Sequence, residues 1–127
     1  MEDRLEISVT THRLYTRIEE IMRDRKPYLD PRLTLGKLAR IVATNRSCLS
    51  ETLNNVTKMN FSRWLSTYRV QHFITLARQY PEKSLEELST DSGFSSRTTF
   101  FRQFQDITGQ TPKEYRQTLT SIYSQLK

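Results

Sequence analysis

The chain has one cysteine, three glycines, four prolines and two histidines in 127 residues. A single cysteine excludes an internal disulfide, so the core has to hold without that staple. His12 and His72 are far apart in the chain and have no other ligand types spaced around them, so no metal site is expected. Gly36, Gly93 and Gly109 are too scattered to cradle a phosphate, and no nucleophile and base stand in a recognisable motif. Catalysis and a bound cofactor are therefore not expected. No segment has the apolar length of a membrane span or a leader peptide, and alternating strand-like runs are scarce. These absences point to a protein of a reducing cytoplasm, with no membrane partner for this segment.

What the chain does have is helical periodicity, in a length that can bury one core or two small ones. Residues 1–9 lack that period and read as a short arm. Leu14, Ile18, Ile21 and Met22 then mark one helix face that ends before Pro27. Thr34 caps a short helix carrying Leu35, Leu38, Ala39 and Val42. After an Ala43-Thr44 turn, Asn45 caps a helix over Arg46 to Val56. Asn60 opens a longer helix from Phe61 to about Gln79, a rod of about 28 Å at ~1.5 Å per residue. Ser84 and Glu87 form a capping box, Gly93 supplies the next turn, and a helix follows over Ser96 to Ile107. Gly109 ends it, and Thr111-Pro112-Lys113-Glu114 starts a last helix with Tyr115, Leu119 and Ile122 facing inward. The expected class is all-α, with about seven helices. Residues 1–27 form an arm and leading helix, 28–80 a first lobe with the central helix, and 81–127 a second lobe with the C-terminal helix.

The same pattern is written twice. Leu35, Leu38, Ala39, Ala43, Asn45, Leu49 and Leu53 of the first copy match Leu85, Leu88, Ser89, Gly93, Ser95, Phe100 and Phe104 of the second. The offset is 50 before the turn and 51 after it, and Asn60, Phe61 and Trp64 continue it onto Thr111, Pro112 and Tyr115. A short helix, a tight turn and a second helix with a polar outer face make a helix-turn-helix, whose second helix can enter the major groove of B-DNA. Two such units held at the ends of a rod are suited to successive groove segments about 34 Å apart, and so to a non-palindromic site read by one monomer. Charge agrees with an anionic partner, since 20 Lys and Arg against 14 Asp and Glu give a net +6. Alone that signal is weak, because many basic domains bind nothing acidic.

The stretch from Ser84 to Arg116, with its Gly93-Phe94, Phe101-Arg102-Gln103-Phe104, Gly109-Gln110-Thr111-Pro112 and Tyr115-Arg116 elements, resembles the DNA-binding domain of AraC/XylS-type transcription regulators. Tyr28-Leu29-Asp30, Leu38-Ala39, Leu49-Ser50, Asn60-Phe61 and Tyr68-Arg69-Val70 extend the likeness over about 28–117. There are departures. Ala43 and Lys58 stand where glycine is usual, Leu53 where phenylalanine is, and Phe73 and Ser89 where alanine is. Gln105-Asp106 replaces a position that is commonly lysine. The resemblance implies a sequence-specific, double-stranded DNA-binding domain of a bacterial regulator, on the nucleoid. It further implies activation beside RNA polymerase and a separate sensing or dimerising domain.

It also implies the site. Ser47, Ser50 and Glu51 match base-facing positions on the first reading helix, and glutamate can accept from cytosine N4. Arg97, Thr98 and Arg102 on the second reading helix are the sharper base-reading candidates, with Arg102 the strongest because its guanidinium can clasp guanine O6 and N7; Arg97 could instead clamp a phosphate at the groove edge, and Thr98 could serve as a second cap or meet a thymine methyl. Arg46, Arg63, Thr99 and Lys113 would stand near helix starts and meet phosphates, which positions the protein without choosing a sequence. The aromatic residues Trp64, Tyr68, Phe73, Phe94, Phe100, Phe104 and Tyr115 fall at helical spacing and are expected in the core, where they could not stack on single-stranded bases. Cys48, beside Leu49, is expected to be a small core residue. The alternative function is a protein-interaction module that antagonises a regulator and has lost its DNA contact.

Overall fold

The computed structural model describes the backbone of residues 2–126 and the side chains of residues 9–122. Among the described residues seven α-helices follow one another: α1 (Glu2–Arg25), α2 (Leu35–Ile41), α3 (Arg46–Thr57), α4 (Phe61–Gln79), α5 (Leu85–Asp91), α6 (Arg97–Thr108) and α7 (Pro112–Leu126). A 3-10 turn at Pro27–Leu29 links α1 to α2, and no strand occurs among the described residues. The arm expected over residues 1–9 is instead helical from Glu2, while Met1 lies outside the described residues. The apolar stripe fades there, but no glycine or proline interrupts the chain before Pro27. α1 stops where Lys26 turns left-handed, at φ 50°, before Pro27.

The chain folds as two compact units, Met1–Trp64 and Leu65–Lys127, and the boundary falls inside α4. In the first, α1 packs on α3 and on the 3-10 turn, and α2 packs on α3. Ile18 and Met22 of α1, Leu38, Ala39 and Val42 from α2 and its end, Leu49 and Leu53 of α3, and Trp64 are buried. Each large apolar side chain removed from water in this way contributes about 1.5–3 kcal/mol before entropy is counted. The Trp64 indole N–H donates to the Tyr15 hydroxyl. Burial, reinforced by Glu19, nevertheless holds that hydroxyl above its ordinary pKa.

In the second unit α5 packs on α6, and α6 on α7. Its centre is aromatic. Phe73 lies 4.9 Å from Phe100 and 5.2 Å from Phe104 between ring centroids, and Phe94 lies 4.9 Å from Phe100. These tilted and edge-on pairs add about 0.5–1.5 kcal/mol each beyond their buried area. Phe73 thus fills space where the related pattern has alanine. Arg116 of α7 donates to the Lys83 carbonyl, tying the last helix to the segment before α5. Ile122 departs from its expected inward position and is 47% exposed. Helical period says which side of α7 it shares with Leu119, but no described element covers that side at Ile122.

Candidate nucleic-acid interface

Both helix-turn-helix units are set by local chemistry at their caps. In the first, the Lys37 amide donates to Thr34 Oγ1 at 3.2 Å and the Cys48 amide to Asn45 Oδ1 at 2.9 Å, so α2 and α3 each begin on a satisfied donor. Between them Ala43 adopts φ 60°, and the Thr44 amide donates back to the Ala39 carbonyl at 2.8 Å. In the second, the Glu87 amide donates to Ser84 Oγ and the Thr99 amide to Ser96 Oγ, both at 3.1 Å. The cap of α6 is therefore Ser96, where the sequence repeat had matched Ser95 with Asn45. The second turn is one residue longer: the Phe94 amide donates to the Ser89 carbonyl as the Thr44 amide does to Ala39, so Ser95 is the extra residue, and Phe94 is buried, 5% exposed, against Phe100. Gly93 permits that turn with φ 91°.

With the caps in place, the outer faces follow from helical period. In α3 the buried line is Leu49, Thr52 and Leu53, which leaves Ser47, Glu51 and Asn54 exposed on the opposite side at i, i+4 and i+7. In α6 the buried line is Phe100 and Phe104, and the exposed stripe is Thr98, Arg102 and Gln105. The two stripes correspond residue for residue at an offset of 51. Asn54, which the sequence spacing already sets on the outer face of α3, and Gln105 complete them. Extending the period by three residues in α6 finds Gln105, and an amide can bond adenine N6 and N7 together.

The remaining site residues stand around these stripes. Ser50 is half-buried on the flank of α3. Arg97, exposed, is turned aside from the α6 stripe, with its guanidinium 5.6 Å from the centre of the Phe101 ring. Thr99 is half-buried and its hydroxyl accepts from Ser96 Oγ at 2.8 Å, so part of its bonding capacity is used in the cap. Arg46, first residue of α3, folds back over α2: its Nε and Nη2 lie 2.8 and 2.9 Å from where a Cβ on Gly36 would stand. Arg63 is exposed in the first turn of α4, where its amide donates to Asn60 Oδ1 at 2.9 Å. Lys113 is exposed in the first turn of α7, behind Pro112 and a reciprocal Thr111–Glu114 cap. Cys48 is exposed, contrary to expectation. A residue next to Leu49 is rotated by about 100° around the helix and points to its flank.

The chemistry of this surface is hydrogen-bond donors and acceptors, cations and the Glu51 carboxylate. Among the described residues no group of three or more His, Cys, Asp or Glu could hold a metal ion. None of the described helices is long and apolar enough to cross a membrane.

Comparison with known proteins agrees with this geometry. A family model described as a helix-turn-helix domain matches residues 38–118. An HTH-type transcriptional regulator of Staphylococcus aureus is 33% identical over 84 residues, which are 66% of this chain and 11% of the relative. The chain thus corresponds to about a tenth of that relative's length. A DNA-binding transcriptional dual regulator from Escherichia coli has the same fold at TM-score 0.70 and 21% identity, over 85% of this chain and 93% of that one. The C-terminal domain of the response regulator yesN from Fusobacterium nucleatum superposes at TM-score 0.66 and 24% identity, over 78% and 93%. The matched stretch takes in α3, α4, α5 and α6 with both polar stripes, and on it the chain belongs to the AraC-type helix-turn-helix family as the DNA-binding domain of a transcription regulator.

Proposed function

We propose that this domain recognises a specific, non-palindromic duplex by seating α3 and α6 in successive major-groove segments, about one helical turn apart. The observation that carries this reading is the pair of matched outer stripes, Ser47/Glu51/Asn54 and Thr98/Arg102/Gln105, each backed by a buried apolar line and started by a side-chain cap. Arg102 is the principal base-reading residue, placed to hold a guanine with two donors, with Thr98 beside it. Ser47, Ser50 and Glu51 read the other segment with fewer charges. Arg46, Arg63, Arg97, Thr99 and Lys113 hold phosphates and set the register.

Selection of bound sequences from a random duplex pool tests the reading directly. Two short blocks of preferred bases, of unlike sequence and one helical turn apart, are the expected result. A single block, or no preference, would overturn it. In the intact regulator we place this domain on the nucleoid of a bacterial cytoplasm, where it brings an activator to RNA polymerase. In vitro transcription from a promoter carrying the selected site, with and without the intact regulator, measures that role.

A further inference from the structure

The outer stripe of α3 carries a carboxylate, Glu51, and no cation. Cations on either side of such a helix offset its repulsion from the phosphates that wall the groove. One is Arg46, folded back over α2 on one flank of α3. The opposite flank faces α1. There, Thr44, Cys48, Glu51 and Asn55 form one wall of a groove of about 550 Å³, and Thr10, Arg13, Leu14 and Arg17 of α1 form the other.

Arg13 and Arg17 are one helical turn apart on the same side of α1, and both are exposed. Among the described residues neither is joined to a carboxylate in an ion pair. Between Glu6 and Glu19, α1 has no acidic residue at all, while it has Thr10, Thr11 and Thr16 beside the two arginines. Glu51 faces the arginines across the groove and Glu20 lies about one turn beyond Arg17, but the stretch of α1 beside α3 offers hydroxyls and guanidinium groups, the side chains that phosphate oxygens accept from. The two ribbons of the sugar-phosphate backbone run on either side of a helix seated in the major groove, so the two flanks of α3 each meet one strand.

We propose that α1 is part of the DNA interface of the first lobe, with Arg13 and Arg17 holding phosphates of the strand that passes on the α1 side of α3. Arg46 then serves the other strand, and α3 is clamped between them. This rests on the reading that α3 enters the major groove, and the test keeps the two separable.

The full chain, its Arg13→Ala/Arg17→Ala variant and its Arg13→Lys/Arg17→Lys variant are titrated at several salt concentrations. The probes are a duplex selected from the random pool and a scrambled duplex of equal length. Losing two phosphate contacts lowers the salt slope by about two and weakens binding at ~0.1 M salt by roughly 10- to 60-fold on both duplexes. The ratio between the duplexes stays as in the wild type, and the lysine variant recovers most of the slope. If the wild type prefers the selected duplex but the alanine variant keeps its slope, the α1 contact is refuted while the groove reading stands. If the alanine variant keeps its slope and changes base preference, the arginines orient Glu51 instead, and the proposal fails. If the wild type does not distinguish the duplexes, the groove reading fails and takes the proposal with it.

Discussion

Ala43 and Gly93 hold the same place in the two helix-turn-helix turns, and both have positive φ, 60° and 91°. Glycine reaches that region freely, whereas a Cβ there costs about 1–2 kcal/mol. The first turn therefore stores strain that the second does not. Ala43→Gly relieves it, and the greater freedom of glycine in the unfolded chain takes back about 0.4–1 kcal/mol. A net gain of up to about 1 kcal/mol is expected, seen as a higher urea midpoint. Gly93→Val runs the other way, forcing a β-branched residue into a buried left-handed turn at a cost of about 1–3 kcal/mol. Equal midpoints for Gly93→Val and wild type would contradict the assigned turn.

Much of this fold is legible in the chain because its helices start on single residues with local chemistry. Thr34, Asn45, Asn60, Ser84 and Thr111 each accept from an amide three residues on, and that needs no knowledge of the tertiary structure. Apart from the helical start of α1, the misplaced features depend on what lies opposite. Ser95 and Ser96 are equally good caps, and only the burial of Phe94 decides between them. For Cys48 the sequence offers only its neighbour Leu49 and for Ile122 only the helical period, and neither says whether another element covers the position. The outer stripes are legible as far as Asn54 in α3 and Arg102 in α6. Gln105 extends the second, and the α1 flank beside α3 is beyond any sequence period because it joins residues about thirty positions apart.

Arg102 and Lys113 separate reading from holding. Arg102 is exposed at the centre of the α6 stripe, so Arg102→Ala is expected to lose about 1–3 kcal/mol on the preferred duplex and to relax choice at one base position. Lys113 is exposed in the first turn of α7 and has no place in that stripe. Lys113→Ala is expected to weaken all duplexes alike and to lower the salt slope by about one. Competition titrations on a panel of single-base variants distinguish the two patterns. An unchanged base preference in Arg102→Ala would mean that α6 is docked in another register.

Glu51 is the one carboxylate in either outer stripe, and it opposes every phosphate that approaches α3. Glu51→Gln keeps its shape and removes the charge. Affinity for unrelated duplexes is expected to rise by roughly three- to tenfold at low salt, and the gain fades as ionic strength increases. If Glu51 accepts from a cytosine amino group, the selected site also loses its preference at that base, because the amide can turn to offer either a donor or an acceptor. Binding to unrelated duplexes that is no tighter than wild type would place Glu51 away from the phosphates.

Gly36 offers a test in which stability and binding move in opposite directions. It lies in α2, where glycine costs about 0.5–1 kcal/mol relative to alanine, so Gly36→Ala favours the helix. The new Cβ would stand 2.8 Å from Arg46 Nε and 2.9 Å from Nη2, closer than packing allows, and the part that has to move is the end of a flexible side chain. The guanidinium therefore shifts at little cost to the fold while leaving the place from which we propose it meets a phosphate. The expected variant unfolds at a higher urea concentration than wild type and binds every duplex more weakly, with a smaller salt slope. Arg46→Ala in the Gly36→Ala background then adds little further loss, since both changes act on the same contact. Full additivity of the two losses would show that Arg46 keeps its phosphate from the displaced position, and that its packing over Gly36 is incidental to binding.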